Sequence, residues 1–157
     1  EAAEYAYNYL RYHDTPCLLH QLKYSILHRV PENEGLLQQA KEAGSGFIAF
    51  SPLAQGLLTD RYLGGIPENS RAARDFTLKK SSITAELVEK LKKLDEIASD
   101  RGQSLAQMAL SWVLKDDLVT SVIVGASSIS QLDDNLQAVQ NTDFCEEEIK
   151  IINDLTI

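Results

Sequence analysis

Three short apolar runs, CLLHQ at 17–21, GFIAF at 46–50 and VTSVIVG at 119–125, are parted by long segments of helical periodicity. No other feature constrains the fold as strongly. Strands joined by helical crossovers run parallel, because an antiparallel pair needs only a tight turn between its members. A parallel sheet is covered on its faces, so its strands read as near-continuous apolar runs.

The helical segments carry their own punctuation. Ala3, Tyr7 and Leu10 share a helical spacing over 2–12, and Asp14-Thr15-Pro16 then breaks the pattern. Leu36, Leu37, Ala40 and Ala43 repeat until Gly44, which reads as the glycine closing a helix. Leu87, Leu91, Leu94 and Ala98 mark one helical face before Gly102. Ser104-Leu105-Ala106-Gln107 has the form of a capping box and opens a helix through Leu114. Leu132, Leu136 and Val139 line one side of the next helix, and Glu146, Glu147 and Glu148 place negative charge at the start of the last, where the helix dipole favours it. The order is α-β-α-β-loop-α-α-β-α-α, an α/β pattern. It fits three units of a (β/α)8 barrel or part of a doubly wound sheet, and periodicity does not choose between them.

At 157 residues the chain is of single-domain size, and its net charge of −8 disfavours phosphate backbones and acidic lipid surfaces as partners. No apolar run reaches the roughly 18 residues of a membrane span, and no signal-peptide pattern is present, so a cytoplasmic location is expected. The chain begins at Glu1 within a helix-like pattern, as expected of a piece of a longer protein. Cys17 and Cys145 lack metal or redox spacing and are expected as reduced, buried thiols. Met108 and Trp112 are expected in the core, Tyr5, Tyr7, Tyr9 and Tyr12 against neighbouring helices, and His20 pointing away from Gln21 toward the helices.

In either architecture ligands bind at the carboxyl ends of the strands. Those ends are His20-Gln21, Phe50-Ser51-Pro52 and Gly125-Ala126-Ser127-Ser128. Gln21 can donate to and accept from a carboxamide, and Phe50 offers a flat apolar face to a nicotinamide ring. Gly125 permits close approach, and the helix after Ser128 presents amides to an anion. Arg61 and Arg71 lie in a long irregular stretch and suit phosphate. These are the tools of a dinucleotide site.

The same residues carry a resemblance. Gln21-Leu22-Lys23-Tyr24-Ser25, the run from Phe50 to Thr59 (FSPLAQGLLT), Ser70-Arg71, Ala106 to Trp112 (AQMALSW), Gly125-Ala126-Ser127, Gln131 and Asn135 together resemble the C-terminal half of an aldo-keto reductase. The similar branch contains the potassium-channel β subunits and the bacterial glyceraldehyde 3-phosphate reductases. The resemblance implies the last three strands, with their helices, of a (β/α)8 TIM barrel, residues 1–157 forming the C-terminal part of one domain whose upstream half is absent. It implies NADPH as cofactor and hydride transfer to a small-molecule aldehyde or ketone. Gln21 would hold the carboxamide and Phe50 would stack on the ring. Ser51, Pro52, Leu53, Ala54 and Gln55 would wrap the pyrophosphate with Arg61 beside it. Arg71, Ser127 and Gln131 would surround the 2′-phosphate, Gly125 would admit the nucleotide, and Asp134 and Asn135 would meet the adenine.

Two departures bear on that assignment. Ser127 and Gln131 stand where many members carry Lys and Arg, so NADPH preference would rest on Arg71. Asp134 is one methylene shorter than the glutamate usual in the branch. The family's catalytic Asp, Tyr, Lys and His belong to earlier strands, so no catalytic residue is expected here and residues 1–157 alone are expected to be inactive. The alternative reading is a non-catalytic NADPH-binding regulatory subunit. A homo-oligomer is left open.

Overall fold

The computed structural model describes residues 2–68, 70–74 and 77–156. Helix α1 (Ala2–Tyr12) leads through a left-handed Asp14 into β1 (Leu19–Lys23). A short α2 (Val30–Asn33) and α3 (Leu36–Glu42) precede β2 (Gly46–Phe50). A long connection, with 3-10 turns at Ala54–Gly56, Asp60–Tyr62 and Lys80–Ser82 among its described residues, leads to α4 (Ala85–Asp100) and α5 (Leu105–Val113). Strand β3 (Ser121–Ile123), α6 (Ile129–Gln137) and α7 (Glu146–Thr156) complete the chain. No described helix is long and apolar enough to cross a membrane.

The sheet is parallel, with order β1-β2-β3. Its ladder sets Gln21 opposite Ile48 and Phe50 between Lys23 and Ile123. Side chains alternate across a strand, so His20, Leu22, Phe47, Ala49 and Val122 share one face, and Leu19, Gln21, Lys23, Ile48, Phe50, Ser121 and Ile123 share the other. Phe47 and Ala49 are fully buried under the helices, whereas Leu19, Phe50 and Ile123 are exposed. The second face, with exposed Leu19, Phe50 and Ile123 beside Gln21, Lys23 and Ser121, is uncovered among the described residues, as the inside of an incomplete barrel would be.

Helical coverage is built around Trp112. Its ring packs 5.5 Å from that of Tyr24, and the Arg29 guanidinium lies 4.3 Å above it. Arg29, 7% exposed, donates to Glu32 at 2.8 Å and to Asn153 of α7 at 3.0 Å. The last helix is thus tied to the turn after β1. Met108, Leu91, Leu94 and Leu58 fill the remaining core. Burial and the neighbouring Glu32 push the Tyr24 hydroxyl far above the ordinary tyrosine range.

Several expectations meet the structure directly. Ser104 and Gln107 form both halves of the capping box, and Gly44 closes α3 with φ 75°. His20 turns toward the helices and hydrogen-bonds the Tyr7 hydroxyl. Others need correction. The first strand runs over 19–23 rather than 17–21, because its ladder continues until the Tyr24 amide donates to Phe50. The third is confined to 121–123, since the chain leaves the ladder at Val124. Only Tyr7 of the α1 tyrosines is buried; Tyr5, Tyr9 and Tyr12 are exposed. Cys17 is half-buried against the core, but Cys145 is exposed at the start of α7, and both thiols are free. Leu132, Leu136 and Val139 do share a side, yet it is exposed.

Candidate functional site

The chain beyond β2 turns sharply. Ser51, Ala54 and Gln55 have φ values of 55°, 47° and 62°, a left-handed conformation that side chains make costly. Gly56 follows at 96°. Such a run gathers where surrounding structure over-determines it, and here the surroundings are apolar. Leu57, Leu58 and Tyr62 are buried beneath the turn, and the Tyr62 ring would lie 4.0 Å from a Cβ at Gly56. Amides of Ala54, Gly56, Leu57 and Leu58 close the turns. Thr59 Oγ1 donates to Gly56 O at 2.7 Å and accepts from the Arg61 amide at 3.3 Å. Farther along, buried Ser70 accepts from the Ala73 amide at 3.1 Å, shaping the turn that presents Arg71.

Opposite this strap, the chain leaves β3 and passes through Val124, Gly125 and Ala126 to α6. Ser128 caps that helix by accepting from the Gln131 amide at 3.2 Å. Gln131 Oε1 in turn accepts from both the amide and the hydroxyl of Ser127, each at 2.9 Å. Asp134 accepts from Gln107 Nε2 at 2.7 Å and from Ser104 Oγ at 3.3 Å.

Strap and helix enclose a cleft of about 840 Å³ at the carboxyl ends of β2 and β3. Phe50, Ser51, Pro52, Leu53 and Gln55 form one wall, and Arg61 and Arg71 project from the same connection. Gly125, Ser127, Gln131, Asp134 and Asn135 form the other. Neither guanidinium has an ion-pair partner among the described residues. Two sequence-derived candidates lie elsewhere. Ala54 is buried under the strap. Gln21 stands outside the cleft, exposed in the middle of β1 because that strand extends two residues past it, although it shares the sheet face of Phe50.

Ala126, part of the strand end singled out in the sequence, also lines the cleft; so do Gly56, Thr59, Asp60, Ala106, Ile123, Val124 and Ser130, which were not anticipated. The clue for Ile123 was available, since it has the strand parity of the glycine that ends its run. Nothing local signals Ala106, which arrives through the packing of α5 against α6.

The cleft fits a dinucleotide in size and in donors. It offers an apolar ring face at Phe50, 37% exposed, two guanidiniums for phosphate, and small residues where a nucleotide must approach.

The aldo/keto reductase family profile matches residues 1–157. The L-glyceraldehyde 3-phosphate reductase of Escherichia coli O157:H7 is 49% identical over 142 residues, 88% of this chain and 41% of that protein. A putative voltage-gated potassium channel subunit beta of Schizosaccharomyces pombe is 34% identical over 137 residues, 82% of this chain and 39% of its own. Among solved structures, an aldo-keto reductase from Bacillus halodurans in its holo form superposes with a TM-score of 0.66 at 30% identity, covering 99% of this chain and 47% of that one. The chain spans less than half the length of each of these relatives.

Proposed function

Because this chain belongs to the aldo/keto reductase family, we propose that it forms the cofactor-gripping part of an NADPH-dependent carbonyl reductase whose remaining barrel strands lie outside residues 1–157. The carrying observation is the cleft itself. A strained strap pinned on buried Tyr62 and Leu58 faces a capped helix across two guanidiniums that have no ion-pair partner among the described residues. The second sheet face, uncovered among the described residues at Leu19, Phe50 and Ile123, supports the second half of the proposal, since parallel sheets are covered on both sides.

When bound, NADPH supplies a hydride to the carbonyl carbon of an aldehyde or ketone. The chain's own residues bind and orient. Phe50 presents its ring at the tip of β2, where a nicotinamide would lie against an apolar face. Gln21, on the same sheet face two positions lower in the ladder, would hold the carboxamide by donating to it and accepting from it. Ser51, Leu53 and Gln55 bring strap backbone against the pyrophosphate beside Arg61. Arg71 carries most of the charge recognition at the 2′-phosphate, because Ser127 and Gln131 are neutral and the Ser127 amide and hydroxyl already donate to the Gln131 side-chain oxygen. Pairing with an anion in a partly desolvated cleft strengthens such contacts. This part of the protein contributes no proton-transfer group to the carbonyl oxygen. That task falls to the remaining strands.

Titration of the full-length protein with NADPH and NADH, followed by nucleotide fluorescence, tests the reading. Arg71→Ala should weaken NADPH by about 10- to 100-fold, the loss expected for a charge-assisted hydrogen bond, and NADH by far less. Equal weakening of both nucleotides would remove Arg71 from the 2′-phosphate. A wild-type protein that binds neither nucleotide would refute the cofactor assignment. The similarity to a channel β subunit supports a second reading, in which the nucleotide is held with little turnover. Steady oxidation of NADPH in the presence of glyceraldehyde 3-phosphate would exclude it.

A further inference from the structure

We infer that Asp134 is a positioning residue, a polar clasp that sets the rotation of α6 against α5 and thereby aims Gln131 and Asn135 into the cleft. The inference rests on the dinucleotide reading above for what those two residues meet, and on the hydrogen bonds alone for the clasp. The capping box of α5 is the starting point. Gln107 accepts from the Ser104 amide with its side-chain oxygen at 3.1 Å, which leaves its Nε2 free to donate outward. That group donates to Asp134 Oδ1 at 2.7 Å. Ser104 Oγ accepts from the Gln107 amide at 3.2 Å and spends its own proton on Asp134 Oδ2 at 3.3 Å. Both carboxylate oxygens are therefore held by α5.

The clasp matters because little else fixes α6. None of its residues is buried, so no apolar side sets its rotation among the described residues. The other anchor on α5 lies just past its far end, where Ala138 is buried and its carbonyl accepts from Ser111 Oγ at 2.7 Å. Gln131, Asp134 and Asn135 are separated by three and four positions and so lie on one side of the helix. A roll that released Asp134 would carry the other two with it. Gln107 itself does not line the cleft, which separates the clasp from direct recognition.

Gln107→Glu exploits that separation. Glutamate keeps the capping box but sets a carboxylate against Asp134. In the full-length protein, affinities for NADP+ and for adenosine 2′,5′-bisphosphate, measured by titration calorimetry, should fall by about tenfold, as for loss of a charged hydrogen bond. Adding Asp134→Asn to that variant restores a donor–acceptor pair and should bring both affinities back to within about threefold of wild type. Wild-type affinity in Gln107→Glu, or no recovery in the double variant, would overturn the clasp; the first result would return Asp134 to direct adenine contact. If the wild-type protein binds neither nucleotide, the cofactor reading fails and the clasp is read without ligand. Amide hydrogen exchange in α6 should then quicken in Gln107→Glu and recover in the double variant, and unchanged exchange would overturn it.

Discussion

The two walls of the cleft are held by different physics. The strap is secured from below: Leu58 and Tyr62 are fully buried, and their burial stabilises a backbone that places three non-glycine residues in the left-handed region. No side chain of α6 itself is buried, and the helix is held by hydrogen bonds, from the Gln131 amide to Ser128, from α5 to Asp134, and from Ser111 to Ala138 just past its end. Apolar burial is non-directional and can hold an awkward backbone. Hydrogen bonds fix orientation but each contributes little net stability. One wall is built for shape and the other for aim.

The contrast breaks most easily at the strap. Tyr62→Ala empties a fully buried ring site and should cost about 3–5 kcal/mol of unfolding free energy in a denaturant titration, as for other large aromatic truncations. A cost below about 1 kcal/mol, the size of an ordinary surface change, would mean that the strap is not anchored there. On the other wall, Ser128→Ala removes the cap of α6 and should cost about 1 kcal/mol. An equal loss at both positions would erase the distinction between the walls.

The smallest effect is expected in the segment that follows α6. Glu148 accepts from the Cys145 amide at 2.7 Å and from Arg101 Nη1 at 2.8 Å. Burial alone would raise its pKa, but these donors outweigh it and hold the carboxyl below the ordinary glutamate value of 4.5. A depressed folded-state pKa contributes stability that is complete above the unfolded value and disappears as pH falls through the folded one. Stability should therefore decline below about pH 4.5, and Glu148→Gln should flatten that part of the profile measured by thermal melting. An unchanged slope would show that Glu148 does not contribute to it.

Much of this was legible in the residues because local chemistry writes it. The Ser104–Gln107 box, the Gly44 terminus and the alternation of His20 with Gln21 depend on neighbours a few positions away. Phe50 and Gly125 could be placed at one mouth because parallel strands share an end. The misplacements have a common cause. Where β1 begins and ends depends on its partner's backbone, so Gln21 sits in the middle of the strand instead of at its tip. Whether Tyr9 or Leu136 is covered depends on a surface that no local pattern describes.

The order of short apolar runs and helical segments determined a parallel α/β layer, the side of each strand that faces the helices, and the end of the sheet where a ligand belongs. These follow from side-chain period and crossover length, which are properties of the chain read in order. Tertiary structure alone decided that Asp134 reaches across to the α5 capping box, that Ala106 enters the cleft, and that Tyr62 lies under a strained turn. Those contacts join residues distant in the chain, and distances between side chains on separate elements are set by how the elements pack.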